Sequence, residues 1–437
     1  MPQFRTARRS IFQLPPTTGA GVPRNTRQTP SSQEFKSRWK PSIMTNDQKT
    51  QWILQRARTN DGLAPVDVEK FWADDKAARA DIWGRDIPQM PLGIAMPQEC
   101  VFEELGVAED ERWAKDAEWR AQVNKTYNEK SERIVGRKFL PEPKEGPVSS
   151  PPGFPVRKGL EDIFEARNEW HAGSWWLMQS AHDEDELKVL LDRVEDRIAN
   201  LRAFALPPNW DEAKARLLPL GVKPGLYRGQ RGPITFAASV YGVENLLFLI
   251  MTNPDLAARF RDAIKNAMLA LGRLTDEEAG HTPETAPHGF MLADDNCYLL
   301  TPEMYEFFGY PILRGLFDKL CPNPGDWRYQ HSDSPMSHLL PIFGRLKMTE
   351  VNFGPTVTVS EIRRHIPGAR IDGHLAPFTF SRNDEERIVA ETLRDFDQSR
   401  EKRGLVFTTA GSINAGSRLS GLRLIMSTIQ NFCRYDG

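Results

Sequence analysis

Five short segments in the C-terminal half begin apolar and end on a polar cluster. Residues 289–293 run into Asp294-Asp295, 327–330 into His331-Ser332-Asp333, 347–351 into Asn352, 369–373 into His374, and 405–409 into Ser412-Ile413-Asn414. Helical signals fill the stretches between them. A strand, a polar tip and a helix, repeated every ~25–35 residues, is the rhythm of a parallel sheet covered by helices. It is also how a (β/α)8 barrel gathers side chains from successive strand ends at one mouth. The alternation therefore predicts an α/β chain built as a TIM barrel with an N-terminal helical extension. A doubly wound open sheet competes, but no glycine-rich phosphate fingerprint follows any of the strands.

The helix signals are specific. Asn253-Pro254 and Thr301-Pro302 each open a helix with proline at the first helical position. Thr358-Val359-Ser360-Glu361 has capping-box spacing. Asp384 precedes a charged helix that stops at Gly404, a left-handed C-cap.

Upstream, composition divides the chain. Residues 1–43 carry many Arg and Lys against a single acid, Glu34. Such a segment buries too little apolar surface to offset its ordering entropy and reads as disordered. Its deletion is expected to leave the melting temperature unchanged. The same composition suits an organelle transit peptide, which would make the location mitochondrial, and translation starting at Met44 is the alternative. Residues 44–150 read as a polar helical extension, in which Trp119, Val123 and Tyr127 share one helix face. The proline-rich stretch 141–155 reads as a barrel-entry loop, and 151–437 as the barrel.

A net charge of −2 offers no bulk attraction to nucleic acid or anionic membrane. The longest apolar run, 246–251, falls far short of the ~20 residues that span a bilayer and reads as a buried helix face. Four cysteines without Cys-x-x-Cys spacing read as free thiols of a reducing, cytoplasmic compartment. The partner class is a small-molecule substrate.

His331 and Asp333 are two apart on a strand and so share a face, and His374 follows at a later strand end. Two imidazoles and a carboxylate with an open fourth position suit zinc or another divalent metal. The same groups suit a metal-free site in which His331, His374 or Asp294 moves protons. Of Asp294 and Asp295, adjacent on a strand, one projects into the site and the other caps a turn or the helix at Thr301. Asp295, Asn352, Ser412 and Asn414 are candidate substrate-binding groups. The turn 410–416 either lets an anion approach the backbone or is simply a tight strand-to-helix turn.

The order of several motifs resembles the uroporphyrinogen decarboxylase superfamily over roughly residues 155–437. They are Gly232-Pro233-Ile234-Thr235-Phe236-Ala237, Tyr241-Gly242-Val243-Glu244, Asn253-Pro254-Asp255, Asp294-Asp295 before Thr301-Pro302-Glu303, the strand ending at His331, Gly373-His374-Leu375-Ala376-Pro377 and the final glycine-rich turn. The resemblance implies a barrel with its site at the C-terminal mouth and one of two chemistries. One branch decarboxylates the acetate arms of a tetrapyrrole without cofactor. The other transfers methyl groups between a corrinoid, carried by a corrinoid protein, and a thiol activated by zinc. The methyltransferase pattern of His-x-Cys and a later Cys reads here as His331-x-Asp333 and Gly411 or Ser412, with His374 as the replacement ligand. No counterpart of the decarboxylases' arginine-rich motif appears in residues 44–160. The leading expectation is a metal-assisted methyl or one-carbon transferase with a corrinoid donor. The alternatives are a metal-free decarboxylase or lyase, and a non-catalytic tetrapyrrole- or corrinoid-binding barrel.

Overall fold

The computed structural model describes residues 44–108, 112–142, 153–171 and 174–435. The readings of residues 1–43, and of 143–152 in the proline-rich stretch, lie outside the described residues. Thr45–Gly437 form one compact unit.

Its centre is a six-stranded sheet in sequential order: β3 (Gly229–Arg231), β4 (Phe290–Ala293), β5 (Arg328–Ser332), β6 (Glu350–Phe353), β7 (Arg370–Leu375) and β8 (Leu405–Thr409). Every neighbouring pair is parallel. The extension adds to it. Gly93 N–H donates to the Phe407 carbonyl at 2.7 Å and Phe407 N–H to that of Pro91 at 2.8 Å, so 91–93 lie along the outer edge of β8. Among the described residues no further parallel strand joins this edge to β3. The stretch before β3 supplies an antiparallel hairpin, β1 (Asn168–His171) and β2 (Ser174–Leu177), together with helices.

The longer helices are α1 (Asn46–Arg58), α2 (Val68–Ala80), α3 (Ala117–Val135), α4 (Glu184–Ala199), α5 (Pro233–Tyr241), α6 (Val243–Thr252), α7 (Pro254–Glu278), α8 (Pro302–Leu320), α9 (Glu385–Ser399) and α10 (Leu419–Phe432). Local chemistry sets their ends. The Asn253 side chain caps α7 and Thr301 caps α8, each ahead of the expected proline. Thr358 and Glu361 close a capping box on the short helix Val359–His365. Asp384 caps α9, but the helix ends at Ser399 and not at the expected Gly404, which lies beyond it with φ +70°, the left-handed value that favours glycine.

The two faces of the sheet differ. Phe290, Leu292, Val351, Phe353, Ile371, Leu405 and Phe407 are fully buried on the helix-covered side. The alternate positions Met291, Tyr329, His331, Glu350, Arg370 and Asp372 are less buried and mostly polar, so the inner face is the wetter one.

The extension is stapled to the last helix. α1 packs on α9 and α10, and α3 on α10. The Arg423 guanidinium in α10 donates to the carbonyls of Ala64 (2.9 Å), Val66 (3.3 Å) and Ile134. Ser427 Oγ donates to Pro65 O at 2.8 Å.

Two apolar features are only partly covered. In α6, Leu246, Leu249 and Ile250 are buried, but Phe248 and Met251 are 62% and 69% exposed. The run therefore packs one face and leaves the other open. Trp176, on the hairpin, is 55% exposed. Among the described residues no single helix is long and apolar enough to cross a membrane.

Candidate active site

The C-terminal ends of β4, β5, β6 and β8 bring one hydrogen-bonded group together. Asn352 is its centre. Its amide Nδ2 donates to the carbonyls of Asp372 at 2.6 Å and Thr409 at 2.9 Å. Those two acceptors fix the amide's orientation, so Oδ1 is the acceptor. Oδ1 receives Gly411 N–H at 3.2 Å and faces His331 Nδ1 at 2.8 Å. Nδ1 must therefore carry hydrogen, and Nε2 is the titrating nitrogen. Nε2 lies 3.3 Å from Asp333 Oδ1. A neutral ring would aim a lone pair at that carboxylate, whereas an imidazolium donates to it. The Asp333 hydrogen bond accordingly raises the His331 pKa above its ordinary value, and burial opposes the rise. The same bond holds the Asp333 carboxyl below its usual range.

Asp333 is itself held. Ser412 N–H donates to its Oδ1 at 3.0 Å, and its own N–H donates to Asp295 Oδ1 at 2.8 Å. Gly411 has φ +95°, and a β-carbon there would stand 2.1 Å from Asp333 Oδ1. The glycine-rich turn thus admits the Asp333 carboxylate to the backbone.

The structure gathers His331, Asp333, Asn352, Asp295 and Ser412. It does not bring the others in. Asp294, expected as a catalytic carboxylate, is fully buried, and its Oδ1 and Oδ2 accept from Thr235 N (2.7 Å) and Ile234 N (3.4 Å) at the N-terminus of α5. Burial pushes its pKa up to about 6 against those hydrogen bonds. Of the aspartate pair, Asp295 reaches the mouth and Asp294 caps α5, while Thr301 caps its own helix.

His374, expected as a catalytic group and metal ligand, is also buried. Burial, then the nearby Arg394 guanidinium of α9, lowers its pKa to about 3. Neither ring nitrogen has a hydrogen-bond partner among the described residues. Among those residues no three His, Cys, Asp or Glu side chains are placed to hold a metal ion. His331 and Asp333 meet, but His374 does not join them, so the three-ligand set expected for zinc is not assembled. Asn414, expected to bind substrate, contributes its carbonyl to Ser417 Oγ at 2.9 Å, within the turn before α10.

Sequence reading missed Arg231. The register aligns Arg231 with Ala293, Ala293 with His331, and His331 with Asn352. Arg231 therefore shares the inner face and the level of His331, two strands or ~10 Å away, with only a methyl group between. It is half-buried and has no hydrogen bond or ion pair among the described residues. Only the ladder register could have shown this, because the motif it precedes reads as a helix start.

Beneath His331 on the same face, Arg370 Nε and Nη2 donate to Asp372 Oδ1 at 3.0 and 2.8 Å. Burial, then the Glu350 carboxyl beside it, pushes the Asp372 pKa up.

Residues 226–432 match the family model "Uroporphyrinogen decarboxylase (URO-D)". Among solved structures, a methyltransferase from Methanosarcina mazei is similar, with 14% identity, covering 82% of this chain and 98% of that one, at a TM-score of 0.48. No curated protein sequence matches the chain.

Proposed function

Residues 226–432 belong to the uroporphyrinogen decarboxylase superfamily, and from that premise we propose that the chain is a metal-independent carboxy-lyase for a small organic acid, with His331 as the proton donor. The observation that carries this is the orientation of the Asn352 amide. It assigns hydrogen to Nδ1 and leaves Nε2 to hold and release a proton beside Asp333. Arg231, without a partner among the described residues and level with His331, is the anchor for the substrate's charge.

In the proposed step the bond between the substrate's α-carbon and its carboxylate breaks. CO2 leaves, and the electron pair stays on the α-carbon. His331 Nε2–H then delivers its proton to that carbon. The imidazole is left neutral and is reprotonated from water. The substrate must carry its own electron sink next to the α-carbon. Asp333 stabilises the imidazolium before transfer, and Asp295 and Ser412 N–H keep Asp333 in place.

Metal-assisted methyl transfer has less support, because it needs a third ligand and His374 lies buried beside Arg394.

The test is CO2 release in D2O from a panel of 3-oxo acids and heteroaryl-acetic acids, with product deuteration read by NMR. His331→Gln should lower kcat by about 10²–10⁴, the usual contribution of a positioned acid. Arg231→Gln should chiefly raise KM. Turnover that starts only with a divalent metal and a methylated corrinoid, or CO2 release that His331→Gln leaves unchanged, overturns the reading.

A further inference from the structure

A cavity of about 630 Å³ lies between the hairpin β1–β2, with the residues just after it, and the junction of α5 and α6. It adjoins the mouth that holds His331, and Asn296 forms the border. Asn296 follows Asp295, which accepts from Asp333 N–H, and Asn296 N–H donates to Thr235 Oγ1 of α5 at 2.9 Å. α5 starts two residues after Arg231. Ala238 and Ser239, which line the cavity, sit roughly 8–9 Å along that helix from its first residue. A short carbon chain ending in a ring spans that interval.

The lining has a definite character. Trp176, Leu177, Met178, Ala238 and Val243 give it apolar walls, and of these Trp176, Met178 and Val243 are exposed. Apolar side chains gathered round one hollow mark a ligand site, whereas scattered ones are ordinary. Gln179 and Asn296 add side-chain amides that hydrogen-bond to no other described residue. Gly242, with φ +90°, lets the first of them in, since a β-carbon there would stand 2.4 Å from Gln179 Nε2. The one charged group among the described lining residues is Glu169, which pairs across the hairpin with Trp176. A second carboxylate placed here would meet an anion and, among those residues, no cation. The volume suits a small organic group, since ligand clefts run from about 300 to 1,000 Å³.

We propose that this cavity holds the tail of the substrate whose carboxylate Arg231 anchors, and that the substrate is a monocarboxylic acid ending in an uncharged ring, selected by Trp176 and Asn296. The inference rests on the reading of the mouth as an acid-binding site.

3-Phenylpropanoate, which carries no electron sink and so is not decarboxylated, is the probe, titrated into the full chain by calorimetry beside butanoate and pentanedioate. Wild type should bind it at least about tenfold more tightly than either. Trp176→Ala, at an exposed position, should weaken the ring acid about threefold to tenfold and leave butanoate unchanged. Ser239→Phe, which fills the cavity, should weaken it by at least about tenfold. Arg231→Gln should weaken both monocarboxylates alike, because it acts on the group they share. The proposal fails if butanoate or pentanedioate binds as tightly as 3-phenylpropanoate, or if both Trp176→Ala and Ser239→Phe bind the ring acid as wild type does. It also fails if Arg231→Gln weakens butanoate alone, which would seat the ring acid elsewhere. Turnover separates this inference from the lyase reading. 3-Oxo-3-phenylpropanoate should exceed 3-oxobutanoate in kcat/KM by about tenfold, and equal values would overturn the pocket. If neither releases CO2 above the buffer rate while the binding pattern holds, the lyase reading falls and the pocket stands.

Discussion

Asn352 decides what His331 can do. With its amide pinned by two carbonyls, it assigns one nitrogen of the ring, and Asp333 then sets how tightly the other holds its proton. The His331 pKa is raised, so the imidazolium persists above pH 6.5 and the donor is lost as pH rises through the raised value. The sign for stability is the same. With Asp333 ionised, the interaction contributes fully below the unfolded His331 pKa and fades as pH rises through the raised folded one; at the acid end it is lost as Asp333 protonates. Asp333→Asn should shift the alkaline limb of the rate profile to lower pH, and an imidazole titration by NMR should move with it. A limb that stays in place would remove Asp333 from the proton-holding role. At this scale the sequence was informative where spacing decides direction. Residues 331 and 333 do meet, although β5 ends at Ser332 and Asp333 lies one residue beyond the strand. His374 and Asp294 were not readable, because what buries them, the Arg394 side of α9 and the first turn of α5, comes from distant parts of the chain.

The turn after β8 and the first turn of α5 show how elements create the site. At Gly411 two demands coincide, a φ of +95° and an Asp333 oxygen 2.1 Å from where a β-carbon would be. Gly411→Ala should cost about 1–2 kcal/mol from the backbone alone, as left-handed geometry does for residues other than glycine. It should also push Asp333 off the ring, returning the His331 pKa toward 6.5. An unchanged His331 titration in a folded Gly411→Ala protein would refute that coupling. The small residues of this turn were visible in the sequence, but that an aspartate just beyond β5, not a ligand, fills the space was not. Asp294 works in the same way on α5. Asp294→Ala should lower stability by about 2 kcal/mol, the upper range for a lost helix cap, as measured by denaturant unfolding. Asp294→Asn keeps an acceptor and should cost less. Equal losses would mean that the cap contributes little.

At the scale of the whole molecule, the alternation of strand and helix was readable because each unit is local, with its own cap, apolar run and polar tip. The role of the extension was not, because its attachment runs through long-range hydrogen bonds to backbone carbonyls, which leave no pattern in side-chain hydrophobicity. Arg423 is the clearest case, one guanidinium joining Ala64, Val66 and Ile134 to α10. With 91–93 along β8 as well, residues 45–135 should unfold with the sheet and not ahead of it. In wild type, hydrogen exchange of 46–58 and 68–80 should therefore report an opening free energy close to that of 290–293 and 405–409. Arg423→Met leaves three carbonyls without their charged donor, a loss of about 2 kcal/mol. It should accelerate exchange in α1 and α2 roughly 30-fold, since every 1.4 kcal/mol is tenfold, with a smaller change in β4 and β8. If the two regions already exchange independently in wild type, the extension is a separately stable layer and the sheet does not depend on it.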